Sequence, residues 1–224
     1  MKKLLVFSIL IFSISFYAQN LKDFSVPKGY EKIAESKGDL DKDGKEETIV
    51  IFNITTKSIS ADREDFPRVF YILKYIDGKQ KIWQQNSTFL FSSGTGFYPE
   101  SNAAPVIIIR NNSFSIKQVF NTNSRHTQTY KHTFRFQNGD FYLIGSHSRF
   151  EDTCDFNDLN EINFSTGKVI IDHQYSSCEE EEKDIPKDDH KEFVHPFKTL
   201  IKMNSFRIGE NKFKIPGSDQ DLYY

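Results

Sequence analysis

The chain is predicted to be mainly β: an antiparallel β-meander, curled or sandwich-like, with little helix and one Asp-rich loop before the first strands. Three observations lead there. Phenylalanine and tyrosine number 22 and 10 among 224 residues, and aromatic side chains favour half-buried pleated surfaces. Short apolar or alternating runs recur along the chain, divided by Asp-Gly, Asn-Asn and Asn-Gly pairs that suit tight hairpin turns. Helical periodicity is poor almost everywhere.

The N-terminus comes first. Lys2 and Lys3 precede an apolar stretch, Leu4 to Phe16, and Ala18 or Gln19 then offers a cleavage point. Residues 1–19 therefore read as a secretory signal peptide, too short for a comfortable membrane span. Residues 20–216 read as a single β-rich domain, with the Asp-rich loop at 38–47, and 217–224 as a flexible tail. No later apolar run is long enough to cross a membrane as a helix. An exported, soluble monomer, periplasmic or extracellular, is the expectation. The formal net charge is -2, and -4 without Lys2 and Lys3. That near-balance gives no electrostatic case for nucleic acid or an anionic membrane surface.

Behind the Asp-rich loop, Thr48–Ile54 reads as a buried strand. Val69–Ile76, the turn Asp77-Gly78 and Lys81–Gln84 form a hairpin, and Thr88–Phe91 a further short strand. Val106–Arg110 and Ser113–Phe120 pair around Asn111-Asn112. Thr127–Phe136 and Asp140–Ser146 pair around Asn138-Gly139, the strongest hairpin signal in the chain. Glu161–Phe164 and Lys168–His173 follow, joined by Ser165-Thr166-Gly167. Cys154 and Cys178 flank that last hairpin, so one disulfide closing its open end is expected in an exported chain. Ser58–Pro67 reads as a polar loop and Glu179–Glu192 as a solvated acidic excursion. Phe197, Leu200 and Ile201 would share a helical face, but Thr199–Phe206 alternates well enough to favour a strand.

The Asp-rich loop carries the chemistry. Gly38-Asp39-Leu40-Asp41-Lys42-Asp43-Gly44-Lys45-Glu46-Glu47 places carboxylates at positions 1, 3, 5 and 9 of a sharply bent segment, counted from Asp39. Hard cations such as Ca²⁺ want several converging oxygens. Asp39, Asp41 and Asp43 would offer carboxylate oxygens, Lys45 its backbone carbonyl, and Glu47 would close the shell. Gly44 allows the left-handed backbone that turns the chain. Position 12 is Val50, where an EF-hand needs a bidentate glutamate, so the EF-hand is rejected. The bare alternative is a polar turn with no ion, since Asp-Lys-Asp-Gly is also good turn chemistry.

This loop-then-strand arrangement resembles the Asp-rich calcium loop of FG-GAP and VCBS-type repeats. Gly38, Asp39, Leu40, Asp41, Asp43, Gly44, Glu47 and the apolar Ile49–Ile51 carry the likeness. Such repeats commonly have aspartate where Glu47 stands, and one copy does not make a propeller. The resemblance implies a structural Ca²⁺ loop on an exported β-rich protein.

Other constellations point to structure. His126, His132, His147, His173, His190 and His195 show no metal-ligand spacing. Serine-nucleophile signatures are missing. Ser92-Ser93-Gly94-Thr95-Gly96 has glycines that would present amides to an anion, but no helix follows it. Tyr130, His132, Phe134 and Phe136 alternate with Lys131, Thr133 and Arg135, which reads as a buried aromatic face backed by a wet basic one. Together these favour a non-enzymatic exported module that binds a protein or glycan at the cell surface. The alternative is an extracytoplasmic hydrolase whose site assembles from residues distant in sequence.

Overall fold

A computed structural model of the chain describes residues 21–98, 103–179 and 184–224. The expected signal peptide lies outside them. Four strands form one antiparallel sheet in the order β1 (Tyr30–Gly38), β2 (Glu47–Ile54), β3 (Arg68–Ile76), β4 (Lys79–Asn86). Seven form a second: β5 (Val106–Arg110), β6 (Ser113–Asn121), β7 (His126–Gln137), β8 (Asp140–Asp152), β9 (Phe156–Asn163), β10 (Lys168–Tyr175) and β11 (Asp189–Val194). β12 (Lys212–Lys214) and β13 (Asp221–Tyr223) pair separately. Every hydrogen-bonded neighbour is consecutive in the chain, which is the expected meander. The turn residues explain the sharp reversals. Asn138 and Gly139 sit at φ 50° and 79°, the left-handed pair that matches the twist of flanking strands.

The two sheets stack as a sandwich. Ile49, Ile51, Phe70 and Ile72 of the four-stranded sheet share one buried cluster with Phe114, Phe134, Phe141 and Val169 of the seven-stranded sheet. The Phe70 and Phe114 rings meet edge-on at 6.1 Å between centroids. A second cluster, Val50, Phe52, Val69, Tyr71 and Leu73, lies on the other face of the four-stranded sheet. Phe24 covers it, with the N-terminal segment held to β4 by Phe24 N–H to the Gln80 carbonyl at 2.8 Å. β2 and β3 are therefore buried on both faces, as their continuous apolar runs require.

The Asp-rich loop lies just before β2, as expected, and the strand β1 ahead of it makes the loop a hairpin connection. Several other expectations are corrected. Thr88–Phe91 is not a strand, because Asn86 ends β4 and its Oδ1 accepts the Thr88 N–H at 2.7 Å. Thr199–Phe206 is not a strand either. Its core is a 3-10 turn, Met203–Ser205, fastened by Leu143 N–H to the Ile201 carbonyl and by Asn86 Nδ2 to the Met203 carbonyl. Met203 and Phe206 are fully buried there, between the sheets. The acidic stretch is partly strand, since β11 begins at Asp189 and pairs with β10. The C-terminal residues do not fray: β13 pairs with β12 and buries Leu222.

Ser58–Pro67 is free of strand, as expected. Cys154 and Cys178 are bonded, with Cα atoms 5.1 Å apart, just beyond the last β9–β10 pair, Phe156 with Tyr175. No helix among the described residues is long and apolar enough to cross a membrane.

Candidate functional site

The Asp-rich hairpin is built from its roots outward. Gly38 pairs with Glu47 at the base. A Cβ at position 38 would stand 2.6 Å from Ile109 Cγ2, so glycine lets β1 close on β5 of the other sheet. Leu40 turns inward and is fully buried in the main core. Asn112 Nδ2 donates to the Asp39 carbonyl at 2.9 Å, tying the hairpin to the β5–β6 turn.

The three aspartates fold the tip around themselves. Asp39 Oδ1 accepts the Lys42 N–H at 2.7 Å and Oδ2 the Gly44 N–H at 3.2 Å. Asp41 Oδ1 accepts the Asp43 N–H at 3.3 Å, and Asp43 Oδ1 the Lys45 N–H at 2.8 Å. One oxygen from each of Asp39, Asp41 and Asp43 lies within 4.8 Å of the others. That spacing suits a hard cation with carboxylate ligands.

Glu47 takes a different part. It is 2 % exposed, and its Oε2 accepts the Leu40 N–H at 2.8 Å, inside the base of the hairpin. Burial pushes its carboxyl up to about 7, against the Leu40 hydrogen bond, which pulls it down. The three aspartates form the converging group without it. The expected position-9 ligand is thus a buried brace, and Lys45 enters the tip through its amide.

Sequence reasoning missed Lys74. This lysine, the one cation inside the apolar run of β3, hydrogen-bonds Asp41 Oδ2 and lies 3.8 Å from Glu47 Oε1. Its ammonium also sits 4.1 Å from the centre of the Trp83 ring. The hairpin therefore has a resident counter-charge at its base. A lone lysine in an otherwise buried strand was the available signal.

The glycine loop does present an amide to an anion, but the anion is internal. Gly94 N–H donates to Asp65 Oδ1 at 2.8 Å, and a Cβ at 94 would fall 2.5 Å from that carboxyl carbon. Four histidines pair with carboxylates: His126 with Asp152, His147 with Glu161, His173 with Asp158 and His190 with Asp172. His195 stacks on Phe213 at 4.2 Å. His132 is 1 % exposed, and neither ring nitrogen has a hydrogen-bond partner. Burial first, then the nearby His147, push it down to about 3. Comparison with protein-family models, curated proteins and solved structures returns no match.

Proposed function

We propose that this chain is an exported, non-enzymatic β-sandwich module. Its Asp-rich hairpin takes Ca²⁺ as a structural ion, and its wide sheet engages a protein or glycan at the cell surface. The observation that carries the ion is the convergence of Asp39, Asp41 and Asp43 oxygens within 4.8 Å, on a hairpin rooted by Leu40 and Asn112. Lys74 offsets charge only at the Asp41–Glu47 end. Asp39 and Asp43 keep their excess of negative charge at the tip, where a cation would relieve it. The basic and apolar opening of the chain supports export, and the Cys154–Cys178 bond suits an oxidising compartment.

The test is thermal melting with millimolar Ca²⁺ against chelator, joined to calorimetric titration of wild type and Asp43→Asn. Asp43 is preferred to Asp41 because it does not hold Lys74. The expected result is a higher midpoint in Ca²⁺ for wild type, with heat of binding that Asp43→Asn loses. Identical melting in both buffers would sink the calcium reading.

A further inference from the structure

One face of the seven-stranded sheet forms the core; the register defines the other. Across it run Arg110, Ser113 and Arg135 in one row, Ser115, Thr133 and Gly145 in the next, and Lys117, Lys131 and His147 in a third. The alternation in β7 puts Tyr130, His132, Phe134 and Phe136 on the core side, so this outer face gathers the cations and hydroxyls, along with Val106, Ile108, Tyr142, Glu161 and Ile170.

The middle of the face is hollow, for a local reason. β8 carries one extra residue between Leu143, which pairs with Phe134, and Gly145, which pairs with Thr133. The bulge brings a glycine to a position that would otherwise present a side chain between Thr133 and Asn163. A depression of about 530 Å³ results, flanked by Lys131, Arg135, Lys168 and Asn163. A second, of about 290 Å³, adjoins it towards Arg110, and the two share Asn111, Ser113, Lys131 and Thr133. Together they cross β5 to β10, roughly 24 Å at ordinary strand spacing.

The charges in this groove are poorly compensated. Lys117 and Lys131 stand directly opposite each other on β6 and β7, an arrangement that destabilises a sheet. Among the described residues no carboxylate forms an ion pair with Arg110, Lys117, Lys131 or Arg135. Glu161, the carboxylate lining the first hollow, is held by His147 at 3.0 Å, and Lys168 by Glu192 at 3.0 Å. The whole chain is nonetheless slightly acidic. Unpaired cations gathered on one open face of an acidic protein call for an anionic partner.

We propose that this groove binds an acidic saccharide, a chain of sugar rings carrying carboxylate or sulfate groups, with Arg110, Lys131 and Arg135 meeting the anions and Ser113, Thr133 and Asn163 meeting ring hydroxyls. This deepens the surface-module reading and rests on it, but not on the calcium loop. The open, elongated shape admits a polymer passing through. The aromatics of β7 lie on the core side, which disfavours a single-stranded nucleic acid that would need bases stacked. Ser115 and Thr133 already share a hydrogen bond at 2.8 Å, so the floor is a fixed polar surface.

The experiment is calorimetric titration of the full chain with trigalacturonate and with a sulfated disaccharide. Maltotriose, inorganic sulfate and a single-stranded oligonucleotide serve as comparisons. The expected result is saturable binding of one or both acidic sugars, weakened about tenfold by Lys131→Ala and by Arg135→Ala. Lys131→Ala should melt no lower than wild type, because it removes the repulsion from Lys117. Absence of acidic-sugar binding overturns the proposal, as does equal binding of maltotriose, sulfate or oligonucleotide, or undiminished affinity in folded Arg135→Ala. Retained saccharide binding without a calcium response counts against the hairpin reading alone. A calcium response without saccharide binding counts against the groove alone.

Discussion

The two sheets of the sandwich solve the same packing problem with different chemistry. The four-stranded sheet is covered by the main core on one side and by the N-terminal segment carrying Phe24 on the other. The seven-stranded sheet is covered on one face and open on the other. Burial on both faces leaves no room for chemistry except at the hairpin tips, and the acidic cluster sits at one. Burial on a single face leaves half the side chains free, and here those include cations with no carboxylate partner among the described residues. Burial also shifts ionisable groups in each sheet, with Glu47 pushed up in the first and His132 pushed down in the second.

Core truncations should show the largest contrast. Phe134 is fully buried and touches the Phe89, Phe114 and Phe206 rings. Phe134→Ala should cost about 4 kcal/mol in chemical denaturation. Phe52→Ala, in the smaller outer cluster, should cost less, about 3 kcal/mol, because a single segment with Phe24 covers it rather than a second sheet. Equal losses would mean that the outer cluster is as rigid as the main core. Cys154→Ser with Cys178→Ser should lower stability by about 3 kcal/mol. Hydrogen exchange should then quicken in β9 and β10 more than in β2 and β3; uniform quickening would contradict a local clamp.

Glu47 and His132 set opposite pH slopes. The folded Glu47 carboxyl titrates near 7, above its ordinary 4.5, so its contribution is present below 4.5 and lost as pH rises through 7. The folded His132 ring titrates near 3, below its ordinary 6.5, so its contribution is present above 6.5 and lost as pH falls. Between pH 4.5 and 6.5 the two offset each other. Glu47→Gln, measured in chelator, should leave stability rising with pH by about 1.4 kcal/mol per unit in that window. His132→Leu should leave it falling by a similar amount. If neither variant changes the slope, the two groups are not buried in solution as described. The smallest effect belongs to Lys131→Ala, which should gain a few tenths of a kcal/mol by relieving Lys117.

The strands that the sequence announced were those with their own local signals. Asn111-Asn112, Asn138-Gly139 and Asp77-Gly78 mark hairpins by turn chemistry, and all six residues take positive φ. β1 gave no such signal: Tyr30–Gly38 is mostly polar, bulged after Lys32, and its order comes from pairing with β2. β11 is hidden in an acidic run for the same reason, since backbone bonds to β10 decide it and its exposed side chains do not. The Met203–Ser205 turn depends on partners some 60 to 118 residues away, Leu143, Asn86 and Thr88. At the site, Asp39, Asp41 and Asp43 were legible from spacing, and the basic face of β7 from alternation. The bond from the Leu40 N–H to Glu47 was not legible, because spacing alone does not encode the burial of both residues at the hairpin base.

The unbroken meander has a kinetic consequence. No strand has to be inserted between two that were made earlier, so both large sheets can lengthen one strand at a time in the order of synthesis. The long-range steps come last: docking one sheet on the other, then threading Met203 and Phe206 between them. Until that late segment arrives, Phe89 and Phe134 lack their Phe206 neighbour. The C-terminal segment from about residue 200 onward thus acts as a latch, and a truncation before residue 200 should yield ordered hairpins that do not settle into one closed sandwich.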